Sequence, residues 1–202
     1  MRILVVGATG TIGRGVSEAL ADRGHEVLPV GLSRGDLTVD IADPAAIEAL
    51  YATVGAVDAV VCTAGVAQFG ALDDLTDEGF ATSIGNKLMG QVNLVRSGLG
   101  IVADGGSFTL TSGGLSQEPG PGTAAVSMVG AAVEAFACAA AIDLEGRYRV
   151  NVVSPGWVAE SRVKMGLEPM PGIWAKDLAA YYVDLVEGQQ TGQILSAETA
   201  KA

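Results

Sequence analysis

Ile3-Leu4-Val5-Val6-Gly7-Ala8-Thr9-Gly10-Thr11-Ile12-Gly13 decides how the chain folds. Four consecutive apolar residues followed by glycine read as a strand buried on both faces. Ile12, Val16, Ala19 and Leu20 then recur at helical spacing, and Gly24 follows as a C-cap. A strand, a glycine turn and a helix in direct succession give each glycine a role. Gly7 allows the tight turn, Gly10 lets the backbone approach a pyrophosphate, and Gly13 lets the helix pack closely on the strand. The helix start adds free N–H groups and a partial positive charge. The whole turn, Gly7, Ala8, Thr9, Gly10, Thr11, Ile12 and Gly13, is therefore a candidate dinucleotide-binding element.

The same alternation continues down the chain. Further strands are expected at Glu26–Val30, Val57–Cys62, Ser107–Thr111, Arg149–Val153 and Gln193–Leu195. Helices are expected from Asp43-Pro44 to Tyr51, with Asp as N-cap and Pro at the first helical position, and from Thr76 to about Leu99. Two more run over Thr123–Leu144 and Ala175–Glu187. Pro155–Gly172, with three prolines and three glycines, reads as irregular and mobile, a lid that closes over substrate. Repeated strand-then-helix units with right-handed crossovers predict an α/β fold, a Rossmann-type doubly wound parallel sheet with helices on both faces. No linker or repeat divides it, so residues 1–202 read as one domain.

Composition narrows the function. Hydrophobic residues make up 49% of the 202, enough for a packed core, and charged residues only 17%. The net charge of −11 and the lack of a Lys/Arg cluster argue against a nucleic-acid partner, because phosphate neutralisation needs clustered cations. Cys62 and Cys138 sit in apolar runs and read as buried, reduced thiols. With one histidine, His25, no metal site is expected. The N-terminal apolar run is too short for a signal peptide, and glycines or charges interrupt the other runs, so a soluble, cytoplasmic protein without a membrane partner is expected.

Six landmarks in order resemble the short-chain dehydrogenase/reductase family. They are the glycine loop; Asp40-Ile41; Thr63-Ala64-Gly65; Leu110-Thr111-Ser112-Gly113; Asn151-Val152-Val153-Ser154-Pro155-Gly156-Trp157-Val158; and Thr191-Gly192-Gln193. The resemblance covers essentially the whole chain. It implies that Asp40 and Ile41 meet an adenine edge and that Thr63, Ala64 and Gly65 line the cofactor. Pro155 and Gly156 shape a turn, and backbone groups of Val158 hold the nicotinamide amide.

Nucleotide choice is set at the end of the second strand, where an acid favours a free ribose 2′-OH and repels a 2′-phosphate. Val30-Gly31-Leu32-Ser33-Arg34 has no acid at its tip. Ser33 and Arg34 suit a phosphate, Arg in a bidentate manner, with Arg14 as a second cation and Asp36 as a counterweight. NADP(H) is favoured, with NAD(H) the alternative.

The resemblance breaks where the family does its chemistry. Members use a Tyr, a Lys four residues later, a Ser and an Asn. Aligning Gly130-Ala131-Ala132-Val133-Glu134-Ala135-Phe136 puts Gly130 at the Lys position and Val126 at the Tyr position. None of Tyr51, Tyr148, Tyr181 and Tyr182 has Lys four residues on. Lys87 stands at the Asn position, and Ser112 alone remains. A small bacterial subgroup with the same Lys-Leu-x-Gly-Gln and Thr-Ser-Gly segments shares these departures. Three readings are open. The chain is an oxidoreductase of small carbonyl or alcohol compounds, with Lys87 as substitute proton donor and Ser112 positioning the carbonyl. Or it is a cofactor-binding regulatory protein without turnover. Or it is a non-redox isomerase or lyase with Lys87 as base. Gln68, Phe69, Trp157, Met165, Met170 and Trp174 are candidate pocket residues. The family builds dimer interfaces from helices like the Ala-rich one here, which implies a homodimer or homotetramer.

Overall fold

The computed structural model describes residues 1–197. Its sheet has seven parallel strands: β1 (Arg2–Val6), β2 (Glu26–Gly31), β3 (Leu37–Thr38), β4 (Val57–Cys62), β5 (Val102–Thr111), β6 (Arg149–Pro155) and β7 (Ile194–Ala197). The spatial order is β3-β2-β1-β4-β5-β6-β7. The chain winds from β1 out to β3, then returns to the other side of β1 with β4. That reversal opens a crevice at the carboxyl ends of β1 and β4, where ligands of doubly wound sheets bind.

Side chains alternate along each strand, so β1 feeds two cores. Leu4 and Val6 face the layer built by α2 (Pro44–Val54), α4 (Gly90–Gly98) and α5 (Ala124–Asp143). Ile3 and Val5 face Val16 and Leu20 of α1 (Thr11–Asp22) and Leu178, Tyr182 and Leu185 of α7 (Ala175–Glu187). Each such side chain, fully buried, contributes about 1.5–3 kcal/mol. This two-sided burial is why the strand had to be a continuous apolar run. As expected, Asp43 caps α2, its Oδ1 accepting from Ala45 N at 2.9 Å with Pro44 next to it.

Apart from shifts of one to three residues at the ends of other elements, four features differ from the sequence reading. The two-residue edge strand β3 has too few residues to show a period. The helix expected over Thr76–Leu99 is α3 (Asp77–Ser83), a π-helical turn over Ile84–Met89, then α4. β5 begins at Val102, before the Ser107 that marks the apolar run. The segment Pro155–Gly172, read as irregular, contains a short helix, α6 (Ala159–Lys164), because no Pro or Gly interrupts 157–165. Arg162 staples the next turn to this helix, donating from Nε to Glu168 O at 2.7 Å.

Among the described residues one helix, α5, is long and apolar enough to cross a membrane. Here it packs on β6, burying Val129, Val133, Ala137 and Ala141 with the carboxylate of Glu134.

Candidate functional site

The glycine turn takes the form its sequence dictates. Gly7 has φ +89°, a conformation that favours glycine. A Cβ on Gly13 would collide with Gly7 O and lie 2.6 Å from Thr63 Oγ1, so α1 can approach only with glycine there. Gly10 opens outward, a Cβ meeting only Gly7 O at 3.2 Å. The N–H groups of Gly7 and Ala8 are committed to Val30 O, at 2.9 and 3.0 Å, and that of Gly10 to Gly7 O. The first bond of α1 is Arg14 N to Gly10 O at 3.1 Å, and no side chain caps the helix. Thr11, Ile12 and Gly13 at the helix start, with Thr9 in the turn before it, are thus the N–H donors left for an anion. Of the seven turn residues, Gly7, Ala8 and Gly10 shape the site rather than donate to a ligand.

Two cavities meet at Gly10. One, of about 210 Å³, is lined by Gly7, Asp40, Ile41, Thr63, Ala64, Gly65 and Asn86. It brings together three places in the chain that the sequence assigned to the cofactor, the glycine turn, Asp40-Ile41 and Thr63-Ala64-Gly65, and adds Asn86, which the sequence did not assign. The Asp40 carboxylate accepts from Ala42 N at 2.9 Å, a local turn at the cavity rim. Asn86 Oδ1 accepts from Val66 N at 2.7 Å and pins the loop after β4 to the π-helical turn. The other cavity, of about 550 Å³, is lined by Thr9, Thr11, Arg14 and Arg34 together with Lys164 of α6 and Lys176 of α7. Ser33 is exposed on the same turn as Arg34 but lines neither cavity.

Pro155, Gly156 and Val158 lie outside both cavities. Gly156 N donates to Ala197 O, and Val158 O accepts from Arg162 N at the start of α6. The N–H of Val158 makes no backbone bond among the described residues. Asn151, in the same motif, ties down the chain before β7: it donates to Gln190 O and accepts from Gln193 N. Trp157, Phe69, Met165, Met170 and Trp174 are all exposed.

Lys87 sits in the π-helical turn and packs under Gly65, where an added Cβ would lie 2.5 Å from Lys87 Cδ. Gly65 has φ +145°, so this position admits neither a side chain nor an easy replacement. Parts of Lys87 reach the surface, while its ammonium is surrounded by protein. Burial pushes the Lys87 pKa below its ordinary value; the neighbouring Cys62 thiol opposes this more weakly. No carboxylate pairs with Lys87 among the described residues. The Cys62 thiol is itself pushed up to about 11 by burial, so it stays neutral and offers Lys87 no charge at neutral pH.

Gln91, fully buried, links Lys87 to the end of β5. Its Nε2 donates to Lys87 O at 3.0 Å and Thr111 O at 2.9 Å, and its Oε1 accepts from Thr111 N at 2.9 Å. Ser112 follows Thr111. Its hydroxyl donates to Glu134 Oε1 at 2.6 Å, as do those of Ser116 at 2.7 Å and Ser154 at 2.9 Å. All three serines thus commit their protons to one carboxylate oxygen. Glu134 is 7% exposed. The sequence reading missed Glu134 and Gln91; their one signal was a polar residue inside an apolar helical stretch. Gly130 faces this cluster: a Cβ there would meet Ser116 Cβ at 3.4 Å.

No tyrosine serves the site. Tyr51 OH donates to Leu94 O, Tyr148 OH accepts from Gly100 N, and Tyr182 OH bonds Thr111 Oγ1. Burial pushes the Tyr51 and Tyr182 phenols well above their ordinary value. Tyr181 lies on α7, away from Ser112 in sequence and unbonded at its hydroxyl among the described residues.

The sheet, the glycine turn and the cavities at the switch point define a nicotinamide-dinucleotide-type Rossmann oxidoreductase fold. The family model described as enoyl-(acyl carrier protein) reductase matches residues 7–176, and the chain belongs to the short-chain dehydrogenase/reductase family. Its structure is similar to that of the protein lin1944 from Listeria innocua, with a TM-score of 0.92 and 40% identity over 97% of this chain and 98% of that one. It is also similar to a small-chain dehydrogenase crystallised in complex with NADPH, with a TM-score of 0.86 and 27% identity over 98% and 96% of the two chains. Versicolorin reductase 1 of Aspergillus parasiticus is 29% identical over 177 residues, which cover 76% of this chain and 68% of that protein.

Proposed function

We propose that this chain is an NADP(H)-dependent oxidoreductase that interconverts a small carbonyl compound and its alcohol, with Lys87 transferring the proton. The observation that carries the reading is the pairing of two features. The uncapped start of α1 faces unpaired cations, and Lys87, without a counter-ion among the described residues, packs under Gly65 at the edge of the cofactor cavity without lining it. The NADPH complex of the similar small-chain dehydrogenase supports the choice of nucleotide.

A bound reduced nicotinamide would supply the hydride. Thr11, Ile12 and Gly13 would hold its diphosphate, and Arg34 and Arg14 the 2′-phosphate. Lys87 gives its proton to the substrate oxygen. Burial favours the neutral amine left behind, so the same desolvation that lowers its pKa makes the ammonium a readier acid. Solvent then returns the proton. With its own proton committed to Glu134, Ser112 turns lone pairs toward the substrate and accepts from the alcohol O–H.

Calorimetry with NADPH, NADP, NADH and NAD is the direct test, and NADPH is expected to bind tightest. Arg34→Ala should then weaken the two phosphorylated nucleotides by about 1.5–3 kcal/mol, the worth of a charged hydrogen-bonding partner. Equal losses for NAD and NADP would remove Arg34 from the phosphate site.

A second reading, nucleotide binding without turnover, is favoured by the hold of Glu134 on Ser112. Tight NADPH binding with no NADPH oxidation across a carbonyl panel would establish it. We also propose self-association through α5, whose Met128 and Ile142 are exposed beside small residues; light scattering should give a dimer or tetramer mass, and a monomer mass would refute it.

A further inference from the structure

Four of the chain's twelve Lys and Arg residues, Arg14, Arg34, Lys164 and Lys176, line one cleft in a protein of net charge −11. Among the described residues none of the four forms an ion pair. Two carboxylates also line the cleft: that of Glu160 is occupied, accepting from Ala175 N at 3.1 Å at the start of α7, and that of Glu18 is exposed and in no ion pair among the described residues, which leaves the cleft with four cations to two acids. Lys164 is the odd member. It is the last residue of α6, yet its Nζ donates to Thr11 Oγ1 at 2.6 Å. Thr11 is the first residue of α1, so an ammonium rests against the positive end of a helix, where the dipole disfavours a cation. One hydroxyl satisfies one of its three donors. An anion placed between Lys164 and the free N–H groups of Thr11, Ile12 and Gly13 would remove the repulsion and satisfy both sides.

We infer that Lys164 is a diphosphate-binding residue carried by α6, and that its bond to Thr11 holds it at the position the diphosphate takes. This rests on the dinucleotide reading of the glycine turn. The residue adds a contact from the segment after β6 to a site otherwise built of backbone N–H groups. It couples the seating of α6 to occupation of the glycine turn. Arg162 supports the coupling: by bonding Glu168 O and Met170 O, it makes α6 and the following turn move together. An ammonium is a point charge rather than a fork. Lys164 therefore serves every dinucleotide alike, whereas Arg34 serves the 2′-phosphorylated ones.

Lys164→Met is the test, by calorimetry with NADPH, NADP, NADH and NAD against the wild type. Lys164 is exposed, so the variant folds as the parent does. A loss of about tenfold, the same for every nucleotide the wild type binds, is expected for one charge-assisted contact. Saturating NADPH should slow chymotryptic cleavage between 157 and 174 in the wild type and not in Lys164→Met. Equal affinities in the two proteins would overturn the role of Lys164 and leave the dinucleotide reading standing. Loss confined to NADPH and NADP would overturn the diphosphate assignment by moving Lys164 to the 2′-phosphate. Absence of binding to the wild type would overturn the dinucleotide reading, and the role of Lys164 with it.

Discussion

Lys87→Met is expected to abolish turnover and to stabilise the protein. Loss of a positioned general acid costs on the order of 10²–10⁴-fold in rate. Nucleotide affinity should be nearly intact, because the diphosphate and adenosine sites are built without the Lys87 ammonium. Stability should rise by about 1 kcal/mol, because methionine removes a desolvated charge that has no counter-ion among the described residues. The sign follows from linkage. The folded pKa of Lys87 lies below its ordinary value of 10.5, so between the two the unfolded chain binds more protons. Wild-type stability therefore rises with pH through that window, and this rise should be missing in the methionine variant. Urea unfolding at neutral and alkaline pH measures it. Unchanged turnover of a substrate found by screening would remove Lys87 from the chemistry.

Glu134→Ala is the second large effect, and it falls on folding. Truncation leaves the hydroxyls of Ser112, Ser116 and Ser154 without an acceptor and a hole in α5. Breaking a buried network of this kind costs about 3–5 kcal/mol, a large part of a domain's total. Glu134→Gln keeps the oxygen and the volume but not the charge. It should cost about 1–2 kcal/mol, the difference between charged and neutral hydrogen bonds. Thermal and urea unfolding of both variants gives the comparison. A loss under about 1 kcal/mol for Ala would mean that water replaces the carboxylate. If the Gln variant folds, its kinetics report on Ser112: a neutral acceptor releases the hydroxyl, so a carbonyl should bind better and an alcohol worse.

The glycine turn was legible because its meaning is local. A buried strand, a residue that needs positive φ, and a helix start succeed each other without a gap, and each glycine constrains its immediate neighbours. Ser112 and Lys87 were legible only as positions in a family pattern. Glu134, which takes the proton of Ser112, and Gly65, under which Lys87 packs, each come from 22 residues away in sequence. In Ala-rich α5 the one mark of Glu134 was its polarity in an apolar stretch, which did not separate it from a solvated glutamate; β6 and the segment after β5 place three hydroxyls around it.

The continuous apolar run of β1 and the 3.6-residue repeats between strands determined the sheet and the helix layers, because burial on both faces permits no other arrangement of such runs. Those patterns also fixed the glycine turn at the end of β1. They carried no information on where α6 would lie, because a helix of six residues is held by its contacts rather than by its own periodicity. They were equally silent on the π-helical turn that swings Lys87 under Gly65. Only tertiary packing decided that Lys164 meets Thr11 across 153 residues of chain and that Ser112 gives its proton to Glu134. Such side-chain pairings depend on distances between elements, and those distances are set by the whole sheet at once.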